Sequence, residues 1–121
     1  MGCYNAGRFW SDETLWKATR GIMPEAFRVS DLIHQCLSWN MGNLQDFAME
    51  MQKVQEANLD YPIIVSPYGD IIDGCHRVVK AYLENKAIIF AKVFDVTTIP
   101  PDYDEYEAVQ KSNKHKSTNT L

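Results

Sequence analysis

The chain has 121 residues, 45% of them hydrophobic, and a formal net charge of −4, the size and composition of one domain with a single sizeable core. The acidic balance argues against nucleic acid as the main partner, because phosphate-backbone binding needs a basic footprint, and no apolar run approaches the roughly 20 residues that cross a bilayer. Its three cysteines, Cys3, Cys36 and Cys75, lie far apart and form no C-x-x-C pair, which argues against a disulfide framework or a zinc knuckle.

The N-terminus lacks the charged-then-apolar order of a secretory signal, and Ala6 stands where a myristoylation pattern needs Ser or Thr. The expectation is a soluble, cytoplasmic protein with no membrane partner. Residues 1–110 read as one domain: a helical N-terminal part over 1–42 and a core over 43–95. The tail 111–121, "KSNKHKSTNTL", reads as polar, locally basic and flexible.

In "RFWSDETLWKATRG", Ser11 is a good N-cap, Asp12 and Glu13 suit the first turn, and Trp10 and Leu15 are spaced as a hydrophobic staple. A short helix ending near Gly21 follows. "FRVSDLIHQCLSW" predicts an extended piece at Phe27 to Val29, a cap at Ser30 or Asp31, and a helix with Ile33, Cys36 and Leu37 on one side; Cys36 and His34 read as ordinary packing or surface residues. In "NLQDFAMEMQKVQEAN", Leu44, Phe47, Ala48, Met51 and Val54 recur at helical spacing behind a capping Asn43, with the methionines as core filler.

After Asn58 the pattern changes to strands. Ile63 to Val65 and Ile71 to Ile72 are β-branched runs split by "SPYGD", which predicts a hairpin. "GCHRVVKAYLENK" then predicts a helix from about Gly74 with Val78, Val79, Tyr82 and Leu83 on one face, and "AIIFAKVF" predicts a buried strand. "PPDYDEYEAVQ" breaks at Pro100–Pro101 and closes with an acidic, helix-compatible segment. The fold class that results is α+β, a small mixed sheet covered by helices.

The chemistry concentrates in "DGCHR", Asp73 to Arg77. The free amides of a helix's first turn and its positive end form an anion site. Gly74 lets a ligand approach the backbone, Arg77 offers a planar fork to phosphate oxygens, and His76 adds a group that titrates near neutrality. Asp73 is a good N-cap and would close that end; alongside a phosphate it needs Mg²⁺, or a substrate hydroxyl toward which it acts as base. Cys75 sits where a helix end and cationic neighbours lower a thiol's pKa, although a small packed cysteine is the commoner outcome.

These residues resemble the ParB/sulfiredoxin-like superfamily over roughly Leu44 to Phe94: a helix, "YPIIV", a turn, "GDIIDG", a helix starting at "CHR", and a strand. The resemblance implies a nucleotide, ATP or CTP with Mg²⁺, bound at Gly74, Cys75, His76 and Arg77. It also implies an upstream-helix lysine, for which this chain offers Lys53. "GCHR" followed by Ala81-Tyr82 and the Ile89 to Lys92 strand is similar to sulfiredoxins, in which Cys75 would take part in ATP-dependent rescue of a sulfinic acid; those proteins have Gly where this chain has Asp73. "DGxHR" is similar to ParB-type free serine kinases and to ParB-like proteins of bacteria and phages. There Asp73, His76 and Arg77 matter, Asp73 meets the metal, and Asp31 is the counterpart of a further catalytic carboxylate. Within this length no helix-turn-helix DNA domain is expected.

Three functions follow from this reading: NTP-dependent phosphoryl transfer or hydrolysis toward a small-molecule acceptor, thiol chemistry at Cys75, and a non-catalytic module that docks a protein partner. For the last, Tyr4, Phe9, Trp10, Trp16 and the acidic "PPDYDEYE" are the candidate surface.

Overall fold

The computed structural model describes residues 2–38 and 41–110. They gather into two compact units, residues 2–20 with 96–110 and residues 21–95, where the sequence reading treats 1–110 as one domain. The stretch 43–95 falls wholly in the second. Both are built from short strands and helices, so the protein is a small α+β fold with a mixed sheet.

The first unit contains strands β1 (Gly2–Asn5) and β2 (Arg8–Ser11), helix α1 (Asp12–Thr19) and, from the far end of the chain, a 3-10 turn at Val96–Thr98 and strand β7 (Tyr103–Asp104). The sheet order is β1-β2-β7, all antiparallel. The first hairpin has no counterpart in the sequence reading. It turns on Ala6 and Gly7, both at positive φ (52° and 79°). That is the primed two-residue turn whose usual signature is Asn-Gly, and alanine at its first position hides it. Ser11 caps α1 as expected, its hydroxyl accepting from the Thr14 amide, and Trp10 and Leu15 at the staple positions are fully buried. Asp102 locks the cap, its carboxylate accepting from the Ser11 amide at 2.7 Å and from the Thr14 hydroxyl at 3.0 Å. The Trp10 indole donates to the Ile99 carbonyl. Trp10 is therefore core, while Tyr4 and Trp16 are exposed. The acidic segment contributes β7 and then a helical run over 105–110, with Asp104 accepting from the Tyr106 and Glu107 amides.

The second unit runs β3 (Glu25–Arg28), α2 (Val29–Leu32), a 3-10 turn (Ile33–Gln35), α3 (Leu44–Glu56), β4 (Ile63–Val65), β5 (Ile71–Asp73), α4 (Cys75–Leu83) and β6 (Ile88–Val93). Its sheet has the order β3-β6-β4-β5, with β4 and β6 parallel and the other pairs antiparallel. Helix α4 supplies the crossover that a parallel pair requires. The core joins Val29, Leu32, Ile33 and Cys36 to Ile63, Val65, Val78, Ala81, Ile89 and Ala91.

The predicted hairpin, α3, α4 and β6 are all present, with four differences of detail. The helix expected from Ser30 or Asp31 begins at Val29, lasts one turn and tightens into the 3-10 turn, with no side chain capping it; Leu37 is exposed. Asn43 caps α3, accepting from the Asp46 amide at 2.8 Å, yet only Val54 of its apolar stripe is buried, and Leu44 is 81% exposed. Met49 is also exposed, so it is not core filler. On α4 the buried residues are Val78 and Ala81, while Tyr82 and Leu83 face outward: the i, i+3 pair points to the sheet and the bulkier side chains do not. Finally, β6 alternates, with Ile89 and Ala91 buried and Ile88 and Phe90 exposed, so one face of this central strand is covered rather than both.

Candidate functional site

The hairpin β4–β5 leads directly into α4 and sets the position of "DGCHR". Ser66 shapes its loop, the hydroxyl accepting from the Tyr68 and Asp70 amides. Gln35 then ties loop to core: its amide donates to the Gly69 carbonyl and its oxygen accepts from the Ile71 amide, both at 2.8 Å. Asp73 is the last residue of β5, paired with Ile64.

The expectation that Asp73 caps α4 is not met. Gly74, not Asp73, is the N-cap residue, at φ 117° and ψ 22°, and it has no side chain with which to cap. The strand ladder holds Asp73 in the sheet, and the change to helical geometry happens entirely at Gly74. Only glycine suits this point, because the backbone lies in the left-handed half of conformational space and a Cβ would collide with the Ile63 side chain. What approaches Gly74 closely is thus β4. The helix starts hard against the sheet, with its first bond running from the Val78 amide to the Gly74 carbonyl.

His76 turns toward α3, and its Nε2 lies 2.7 Å from Glu50 Oε2. The other oxygen of Glu50 pairs with Lys53 Nζ at 3.3 Å. His76, Glu50 and Lys53 therefore form one connected cluster at the interface of α3 and α4. The His76 and Lys53 contacts hold the Glu50 carboxyl below the usual carboxylate range. Glu50 escaped the sequence reading; its one signal was a place three residues before Lys53 on the same helix. Arg77 is anchored, Nη1 donating to the Pro62 carbonyl at 3.0 Å, which leaves further guanidinium donors for a ligand. Lys80, one turn on, donates to the Gln55 and Ala57 carbonyls at 2.8 and 2.7 Å and so caps the C-terminal end of α3. Asp31 is exposed on α2, outside the contacts that join His76, Glu50 and Lys53.

Cys75 is the first residue of α4 and is half-buried. Its thiol pKa is lowered, though not by the cationic neighbours that the sequence suggested. The cause is hydrogen bonding from the Cys36 thiol, opposed by burial and by the Asp73 charge. Cys36 correspondingly keeps its proton, its pKa raised by that same hydrogen bond and by burial. Cys36 is a buried core residue, as the sequence reading has it. No spacing rule brings residues 36 and 75 together; the packing of the 3-10 turn against α4 does.

Comparison with protein-family models, with curated proteins and with solved structures finds no match to this chain. Among the described residues no helix is long and apolar enough to cross a membrane.

Proposed function

We propose that residues 43–95 form a ParB/sulfiredoxin-like nucleotide-binding core that transfers or hydrolyses a phosphoryl group of ATP or CTP. One observation carries the reading: at the start of α4, whose N-cap Gly74 has no side chain, His76 joins Glu50 and Lys53 across the interface with α3, and Arg77 follows directly. A helix N-terminus favours an anion, and a lysine and an arginine nearby favour phosphate. Glu50 orients the His76 ring, and Lys53 and the remaining Arg77 donors meet phosphate oxygens.

Asp73 would hold a Mg²⁺ brought by the triphosphate, which would supply positive charge to the phosphate oxygens. Mg²⁺ is held by one or two carboxylates plus substrate phosphates rather than by an all-protein cage, and among the described residues no cluster of three or more His, Cys, Asp or Glu side chains is assembled for a metal. When bound it neutralises charge between Asp73 and the phosphates; Asp73 otherwise serves an acceptor hydroxyl as base.

The test is thermal unfolding with ATP, ADP and CTP, with and without Mg²⁺. A ligand present at 100 times its Kd stabilises the fold by about 2.7 kcal/mol, and that gain should disappear in Lys53→Ala. Lys53 is the better variant because Arg77 also anchors the Pro62 carbonyl, so Arg77→Ala mixes loss of ligand with loss of fold. If no nucleotide shifts the transition, the reading fails.

A second reading, a sulfiredoxin-like thiol enzyme acting through Cys75, is favoured by the lowered Cys75 thiol. Alkylation of Cys75 at the rate of an unperturbed free cysteine would argue it out.

A further inference from the structure

The small sheet of the first unit has two unlike faces. One carries Cys3 and Trp10, directly opposite each other and buried. The other carries Tyr4 opposite Phe9 and Phe9 opposite Tyr103, so β1, β2 and β7 each give one aromatic side chain to a single row across the sheet. With neighbouring strands about 4.8 Å apart, the row spans roughly 10 Å. It is open to solvent: Tyr4 is 63% and Tyr103 51% exposed. Phe9, at the centre, lies against Gly2, two residues along β1 from Tyr4. A Cβ added to Gly2 would lie 2.8 Å from Phe9 Cζ, so the ring occupies the space that a side chain at position 2 would take.

A carboxylate borders the row. The Tyr4 hydroxyl donates to Glu105 Oε2 at 3.0 Å, and the Glu105 amide donates to the Gly7 carbonyl at 2.7 Å. Backbone and side chain together hold Glu105 beside the first hairpin turn. Asp104 is paired with Arg8, whereas among the described residues no lysine or arginine pairs with Glu105.

We propose that this face binds an arginine side chain of a peptide partner, its guanidinium stacked on the aromatic row and forked to the Glu105 carboxylate. The ring faces of Tyr and Phe attract a cation. The planar guanidinium stacks on them while its N–H groups match the two oxygens of a carboxylate; a lysine ammonium meets the charge but cannot stack. Rings side by side on one sheet face do not enclose a ligand, so a quaternary ammonium, which is held in an aromatic cage, fits less well. Nucleic-acid bases also stack on aromatic side chains, but their phosphates would meet Glu105 and the acidic segment 102–107, where polyanion binding needs a basic footprint. The inference does not rest on nucleotide binding, which concerns residues of the other unit.

The experiment titrates fluorescein-labelled nona-arginine with the full chain and follows anisotropy, with nona-lysine and a mixed-sequence single-stranded oligonucleotide alongside. The expected result is saturable binding of nona-arginine, at least about fivefold tighter than that of nona-lysine. Tyr103→Ser and Glu105→Gln should each weaken it about three- to tenfold. Both side chains are exposed, and an unchanged circular-dichroism spectrum checks that the fold persists. Tyr103→Phe, which keeps the ring, should bind as wild type, and so should Trp16→Ala, exposed on α1 outside the row. Equal affinity for nona-lysine, or full affinity in either Tyr103→Ser or Glu105→Gln, would mean that the acidic charge of the chain acts without the row and would overturn the proposal. So would the absence of nona-arginine binding, or tighter binding of the oligonucleotide.

Discussion

Replacing Gly74 by alanine tests the strand-to-helix junction, and its cost can be worked from the structure. The backbone there sits at φ 117°, a conformation that costs an L-residue about 1–2 kcal/mol. A new Cβ would also overlap Ile63, whose own Cβ lies 2.7 Å from that position and whose side chain is completely buried. Overpacking of this kind adds about 1–3 kcal/mol. The sum is roughly 2–5 kcal/mol, a large part of the ~5–15 kcal/mol that holds a domain together. Gly69→Ala is the control, since Gly69 has φ 89° but nothing within 4 Å of the added carbon; it should lose only the backbone part, about 1–2 kcal/mol. Urea unfolding followed by far-ultraviolet circular dichroism gives both values from the midpoints and slopes. Ile63→Ala in the Gly74→Ala background should cost less than the sum of the single changes, and only partly so, because the Ile63 Cβ remains. If Gly74→Ala loses no more than Gly69→Ala, the close approach of α4 to β4 is not what requires glycine, and the account of the junction fails with it.

Lys80→Met removes both hydrogen bonds to the C-terminal carbonyls of α3 while keeping the apolar stem, and should cost about 1–2 kcal/mol; faster amide exchange confined to the last turn of α3 would confirm the cap. Glu50 has a depressed pKa, so the stability it contributes is present above its unfolded value and lost as pH falls through the folded one. The urea midpoints of wild type and Glu50→Gln should therefore converge on acidification from about pH 7 to 3, and a gap independent of pH would count against the His76–Glu50 pair. Asp102 behaves with the same sign, its carboxyl held low by the Ser11 amide and the Thr14 hydroxyl; Asp102→Asn should destabilise at neutral pH and approach wild type in acid. Ser11→Ala removes the N-cap of α1 and should cost about 1 kcal/mol, read from the urea midpoint.

Much of the second unit was legible because its signals are local. The hairpin announces itself through two β-branched runs around Pro67 and Gly69, α3 through Asn43, and α4 through the change of period after Gly74. What the sequence hid was set by contacts between distant residues. Periodicity marks Leu44, Phe47 and Met51 as a stripe, but which stripe is buried depends on what packs against it: Val54 alone of the stripe is buried, and α3 is tied to α4 through Glu50 and the Lys80 cap. Strands β1 and β2 were lost for a different reason: four residues each, joined by Ala-Gly, they carry neither the length nor the turn chemistry that would separate them from a helix approach.

The candidate site shows how a shift of one residue changes chemistry. With Asp73 as N-cap, its carboxylate would fill the first-turn amides and α4 would be a closed helix end. In the structure Asp73 stays in the ladder opposite Ile64, and Gly74 makes the whole turn into the helix. Two constraints enforce this. The β4–β5 pairing fixes the backbone of Asp73, and the contact with Ile63 demands a residue without a side chain at the next position. The same register makes Cys75 the first helical residue. The features that move Asp73 off the N-cap position are therefore those that start α4 hard against β4, so Gly74→Ala, besides costing stability, should speed amide exchange in the first turn of α4. Exchange at the wild-type rate in that variant would mean that the start of α4 is set independently of the junction.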